Sequence, residues 1–105
     1  MSTYVITVPG TFLSDLTDSA RVAVEQRLRS ADPHRTALGK QEDLDVLTVN
    51  DNGTFSIHVE VEADDSRTAE RRARETAAGA LREAGYTPEQ APLGPAVVTG
   101  IDNQA

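Results

Sequence analysis

An α+β sandwich built from two strand–helix halves is the fold this sequence predicts, on three observations. Residues 43–63 alternate apolar and polar around Asn50-Asp51-Asn52-Gly53, the pattern of a β-hairpin. Apolar residues at helical spacing flank that hairpin on both sides, over 14–31 and 65–84. A β-branched segment stands near each end of the chain, at 3–8 and 96–101.

The elements follow in order. Thr3-Tyr4-Val5-Ile6-Thr7-Val8 reads as a strand that Pro9-Gly10 ends. Ser14 or Thr17 caps the first helix, whose apolar positions are Leu16, Ala20, Ala23, Val24, Leu28 and Ala31. Asp32-Pro33 stops it, because proline disfavours helix in the residue before it. Residues 32–42 are polar and form the longest expected loop. In the hairpin, Phe55, Ile57, Val59 and Val61 point to the helices, while Ser56, His58, Glu60 and Glu62 take the other face. Asp65 or Ser66 opens the second helix, Ala69, Ala73, Thr76, Ala77, Ala80, Leu81 and Ala84 form its apolar stripe, and Gly85 suits its C-terminal reversal. Thr87-Pro88-Glu89-Gln90 matches a capping box with proline at the first helical position.

Two strand–helix halves around a hairpin make the split β-α-β, or ferredoxin-like, order βαββαβ. That topology implies a two-layer sandwich with strand order 4-1-3-2 and both helices on one face. With 105 residues, the chain fits a single domain over 1–105, with 102–105 as a frayed tail.

Composition narrows the function classes. The absence of cysteine excludes disulfides, thiolate metal sites and cysteine nucleophiles, and suits a reducing, cytoplasmic setting. No apolar run approaches the length of a membrane helix. A net charge of −7 argues against nucleic acid and anionic membrane as partners. No catalytic residue, metal site or cofactor is expected. There is no GxGxxG, Walker loop or HExxH. Reading Asn50–Gly53 as part of a calcium loop puts Thr48 and Val59 at ligand positions, and Val59 offers no oxygen. Ser14, Asp15 and His34 hold the types of a nucleophile, acid and base, but capping and loop roles account for them.

Two segments resemble parts of known families. Gly53-Thr-Phe55-Ser-Ile-His-Val59 resembles the third-strand motif of RNA-recognition modules, which stack bases on the open sheet. Here Phe55 falls on the helix side and Glu60 and Glu62 occupy the open face. Residues 52–62 resemble the hairpin of acylphosphatases, whose phosphate cradle implies an arginine-bearing loop after strand one. That loop is Pro9–Ser14 here, and the first arginine is Arg21, so neither activity is expected.

One constellation stands out. Taking Asn52-Gly53 as a two-residue turn pairs Val49 with Ser56, Leu47 with His58, Asp45 with Glu60 and Asp43 with Glu62. Like charges then face each other on the open side, beside His58, Thr3, Val5 and Thr7, which is destabilising and points to a purpose. Charging of an edge strand against aggregation is one purpose; a site for a cation or a basic partner is another. A three-residue loop would flip one strand and dissolve the cluster. Asp43, Asp45, His58, Glu60 and Glu62 are therefore the candidate binding residues. On the second helix, Arg67, Arg71 and Arg74 with Arg72 alongside form a cationic stripe suited to an acidic partner; the simpler account is a solvated face laced by Glu70–Arg74 and Arg71–Glu75 pairs. The functional expectation is a non-enzymatic binding or interaction module, with the open sheet face as a place for a protein partner or a homodimer. The alternative is a dimeric α+β barrel enzyme using His58 or a neighbouring carboxylate as general base.

Overall fold

Alternation in the hairpin decides which way the sheet faces, and the computed structural model, described over residues 2–29 and 46–102, shows how it is used. The elements are β1 (Ser2–Thr11), α1 (Asp18–Arg27), β2 (Leu47–Val49), β3 (Thr54–Ala63), α2 (Ser66–Glu83) and β4 (Val97–Asp102). The four strands form one antiparallel sheet in the order β2-β3-β1-β4. Tyr4, Ile6 and Val8 of β1 pair with Val61, Val59 and Ile57 of β3. These residues share one core with Val24 and Leu28 from α1 and its end, and with Ala69, Ala73, Ala77, Ala80 and Leu81 from α2. The alanine stripe leaves no side-chain bulk between α2 and the sheet, so the larger Phe55, Ile57 and Val59 fill that space. Phe55, Ile57 and Val59 are buried as the alternation predicts, and Val61 is half-buried.

Caps fix both helices. Thr17, and not Ser14, caps α1: its hydroxyl accepts a hydrogen bond from the Ala20 N–H at 3.1 Å. Asp65 caps α2, its carboxylate accepting from the Thr68 N–H at 2.7 Å. At the far end Gly85 takes φ +98°. Its N–H donates to the Arg82 carbonyl at 3.0 Å and the Tyr86 N–H to the Leu81 carbonyl at 2.9 Å, which together form a Schellman reversal. The ends of the two helices are tied by Arg27 and Glu83 at 2.7 Å.

Three expectations are corrected. Pro9-Gly10 does not end the first strand, which runs on to Thr11 and pairs Gly10 with Phe55. It continues because Gly10 has no side chain: a Cβ there would lie 2.8 and 2.9 Å from Cε1 and Cε2 of Phe55 and closer still to Cζ. The ring occupies that place and stacks on Phe12 with centroids 4.3 Å apart. The last strand is displaced by one residue, to Val97–Asp102, and a register shift opposite Val5 and Ile6 leaves Thr99 as the extra residue of a bulge. Its hydroxyl hydrogen-bonds that of Thr7.

The third correction concerns the hairpin. The connection is a three-residue loop, Asp51-Asn52-Gly53. The Gly53 N–H donates to the Asn50 carbonyl at 3.1 Å, the Asn50 N–H to the Thr54 carbonyl at 2.8 Å, and Gly53 takes φ +88°. This is the type I turn with a left-handed glycine, not the two-residue type I′ turn. The Asn52 side chain holds it by accepting from the Thr54 N–H at 3.1 Å. The pairs are accordingly Leu47–Ile57, Thr48–Ser56 and Val49–Phe55. Leu47 and Val49 thus face the helices, with Leu47 buried in the core, and Thr48 faces outward.

Two measurements test this frame. Gly10→Ala should lower stability by about 1–3 kcal/mol, the cost of forcing a group into filled space. Urea denaturation should show part of that loss restored in the Gly10→Ala, Phe55→Leu double variant; an undiminished Gly10→Ala protein would contradict the ring placement. The second concerns Asp65, whose carboxyl is held below its usual range chiefly by the Thr68 N–H, with help from the Thr68 hydroxyl and from Arg67 and Arg71. A depressed native value means the folded state favours the ionised form. The stabilisation is therefore complete above the unfolded value and is lost as pH falls through the folded one. Asp65→Asn keeps an acceptor at the cap, so its urea midpoint should fall less between about pH 6 and pH 2 than that of the native chain.

Candidate functional site

The expected acidic cluster is only partly within the described residues. Asp43 and Asp45 lie outside them, as does His34. Glu60 sits opposite Val5, Glu62 opposite Thr3 and His58 opposite Thr7, all on the sheet face away from the helices. The His58 N–H donates to the Val46 carbonyl at 3.0 Å, and the Glu62 carbonyl accepts from Arg72 Nη1 at 2.7 Å. The two-residue turn that set Asp45 against Glu60 and Asp43 against Glu62 is absent, and so are the Leu47–His58 and Val49–Ser56 pairs. Among the described residues no group of three or more His, Asp or Glu is placed to share a metal ion. The remainder of this face is largely Thr3, Thr7, Thr48, Ser56 and Thr99, with Val5 buried and Val97 exposed.

A better-formed site lies on the other side of the molecule, and the reversal after α2 creates it. Once Gly85 turns the chain, Tyr86 is buried and its ring packs on Phe12 with centroids 5.3 Å apart. Its hydroxyl donates to the Asp15 carbonyl at 3.0 Å. The next residues are held by a reciprocal pair: the Thr87 N–H donates to Gln90 Oε1 at 3.0 Å and the Gln90 N–H to Thr87 Oγ1 at 3.3 Å. Three backbone bonds then fasten this stretch to the end of β1: Leu13 N–H to Gln90, Thr11 N–H to Pro92, and Gly94 N–H to Pro9.

Between α2 and this stretch is a cleft of about 510 Å³. Its floor is Ala78, Leu81, Ala91 and Leu93, its far wall is Tyr86, Thr87, Pro88 and Pro92, and Arg74 and Arg82 stand on the helix side. That size and lining match small-ligand sites, which are mostly apolar with a few polar groups to orient the guest. Arg74 also lines a second cleft of about 380 Å³, with Arg67, Arg71, Glu70, Glu75, Pro95 and Ala96. The Glu70–Arg74 and Arg71–Glu75 pairs expected from the sequence are not closed. The side chains of Arg74 and Arg82 make no ion pair or hydrogen bond with a described residue, whereas on α1 Arg21 and Glu25 do pair, at 3.2 Å. Half of the chain's ten basic residues are on α2, where five arginines stand against three glutamates in a chain of net charge −7.

The sequence showed part of this site. Arg67, Arg71 and Arg74 were visible as a stripe at spacings of four and three. Arg82 continues that stripe two turns on, and its spacing from Arg74 could have been read in the same way. The opposite wall carried no such signal, because it is placed by bonds to residues about eighty positions away. No family model, curated protein or solved structure matches this chain.

Tyr86 anchors the wall, so Tyr86→Phe should cost about 0.5–1.5 kcal/mol, the usual net value of one hydrogen bond. Thermal or urea unfolding measures it; an unchanged stability would mean the Tyr86–Asp15 bond does not hold the segment.

Proposed function

We propose that this chain is a non-enzymatic binding module of ferredoxin-like topology, and that its ligand lies in the cleft between α2 and residues 86–93. The strand order supports the topology: β2-β3-β1-β4 read from the β4 edge is 4-1-3-2. The residues that α1 and α2 bury in one core with Tyr4, Ile6 and Val8 support placing both helices on one face.

One observation carries the functional reading: Arg74 and Arg82 flank an apolar cleft in an otherwise acidic protein. Burial of apolar ligand surface would supply the driving force, at about 25 cal/mol per Å². The guanidinium forks would orient an anionic group, since arginine matches a carboxylate in bidentate geometry. Binding is favoured over catalysis because the lining contains no His, Asp, Glu, Cys or Lys to act as base or nucleophile. The class of ligand that fits is an apolar body bearing an anionic group.

A second reading, the dimeric α+β barrel with His58 as general base, rests on His58 being half-buried beside Thr7 on the open face. It requires two sheets face to face, so sedimentation as a monomer would remove it.

The test is an amide chemical-shift titration with octanoate, which joins an apolar chain to a carboxylate. Saturable shifts should cluster on residues 74–93 at millimolar ligand. Arg74→Glu with Arg82→Glu should raise Kd at least about tenfold. Both positions are exposed, so the fold should tolerate the change. No saturable shift, or shifts confined to residues 56–62, would refute the cleft as the site.

A further inference from the structure

We infer that the occupant of this cleft is a short acidic peptide segment of another protein, bound in extended form along α2; the inference rests on the binding-module reading above. The first observation is adjacency. Arg74 lines both clefts, so the two meet at its side chain, with α2 on one side and residues from Tyr86 to Ala96 on the other. From Arg67 to Arg82 the helix rises about 22 Å, at 1.5 Å per residue. An extended chain covers that distance in about seven residues. A compact ligand filling the larger cleft leaves Arg67 and Arg71 unengaged, whereas a peptide reaches them.

The second observation is charge. Arg67, Arg71, Arg74 and Arg82 all line these clefts, while Arg72 points elsewhere and donates to the Glu62 carbonyl. A net-acidic protein that sets four of its nine arginines along these two clefts presents a local surface complementary to carboxylates. Glu70 and Glu75 also line the smaller cleft, so a continuous run of acids is disfavoured there. The larger cleft has arginines and no acid. This asymmetry sets a pattern. Arg74 and Arg82 are about 12 Å apart along the helix, which an extended peptide spans in three to four residues. Two acidic residues three or four apart would meet the two arginines. An apolar residue between them would settle on Ala78, Leu81, Ala91 and Leu93.

The experiment is a display selection of random nine-residue peptides against the full chain, run in parallel against the Arg74→Glu, Arg82→Glu double variant. The native protein should enrich sequences with two Asp or Glu three to four residues apart around an apolar residue. The double variant should lose them. The most enriched peptide, made synthetically, should bind the native chain with Kd rising at least about tenfold on the double substitution. Its amide-shift footprint should extend from residue 67 to residue 96, covering both clefts. Absence of convergence, winners without paired acids, or a footprint limited to the larger cleft would overturn the peptide assignment. If octanoate still shifts the cleft in that case, only the peptide inference fails. If octanoate also fails, the binding-module reading falls with it.

Discussion

The left-handed residue at the end of α2 is the constraint on which the site depends. Gly85 at φ +98° lets the Tyr86 N–H return to the Leu81 carbonyl, so the chain doubles back along the helix instead of leaving it. A residue with a Cβ would lose about 1–2 kcal/mol in that conformation. Every later feature of the groove follows from the reversal. Tyr86 reaches Phe12 and Asp15 because of it, and residues 90–94 then lie within bonding distance of Pro9, Thr11 and Leu13. The far wall is thus a loop made rigid by ties to the central strand of the sheet, and it faces a helix that contributes arginines and small residues.

Much of the fold was legible because local signals and tertiary packing agree. The alanine stripe of α2 and the alternation of β3 each identify a single buried face, and the structure uses those faces. The Asp65 cap and the Gly85 terminator were also readable, since each residue type is chosen by the unpaired backbone groups of a helix end. The hairpin was legible as a hairpin but not in register. Asn52-Gly53 suits a type I′ turn and also the three-residue loop, in which glycine alone is left-handed. Burial of Leu47 selects the second, because a one-residue slip exchanges the two faces of a strand. The register on which the cross-strand pairing of the acidic residues was built differs over Leu47–Val49, while Asp43 and Asp45 lie outside the described residues.

The groove was half legible for a different reason. Helical spacing exposes one wall, the arginine stripe, because a stripe is a local property. The other wall is a long-range property: Thr87 and Gln90 shape the turn, but only their position against β1 makes it a wall. The expectation of ion pairs within α2 concealed the significance of the stripe, since neutralised arginines would have had no further role. Arg74 and Arg82 instead stand at the edge of apolar surface, the arrangement on which the proposed binding of an anionic, partly apolar guest rests.

If the reversal at Gly85 holds residues 86–94 as a distinct, locally stabilised unit, amide hydrogen exchange of Gly85→Ala should be faster than that of the native chain at Tyr86, Ala91 and Gly94, with the amide of Ala77 in the middle of α2 much less affected. Uniform acceleration at all amides, or no acceleration at Tyr86, Ala91 and Gly94, would show that the reversal does not hold that unit.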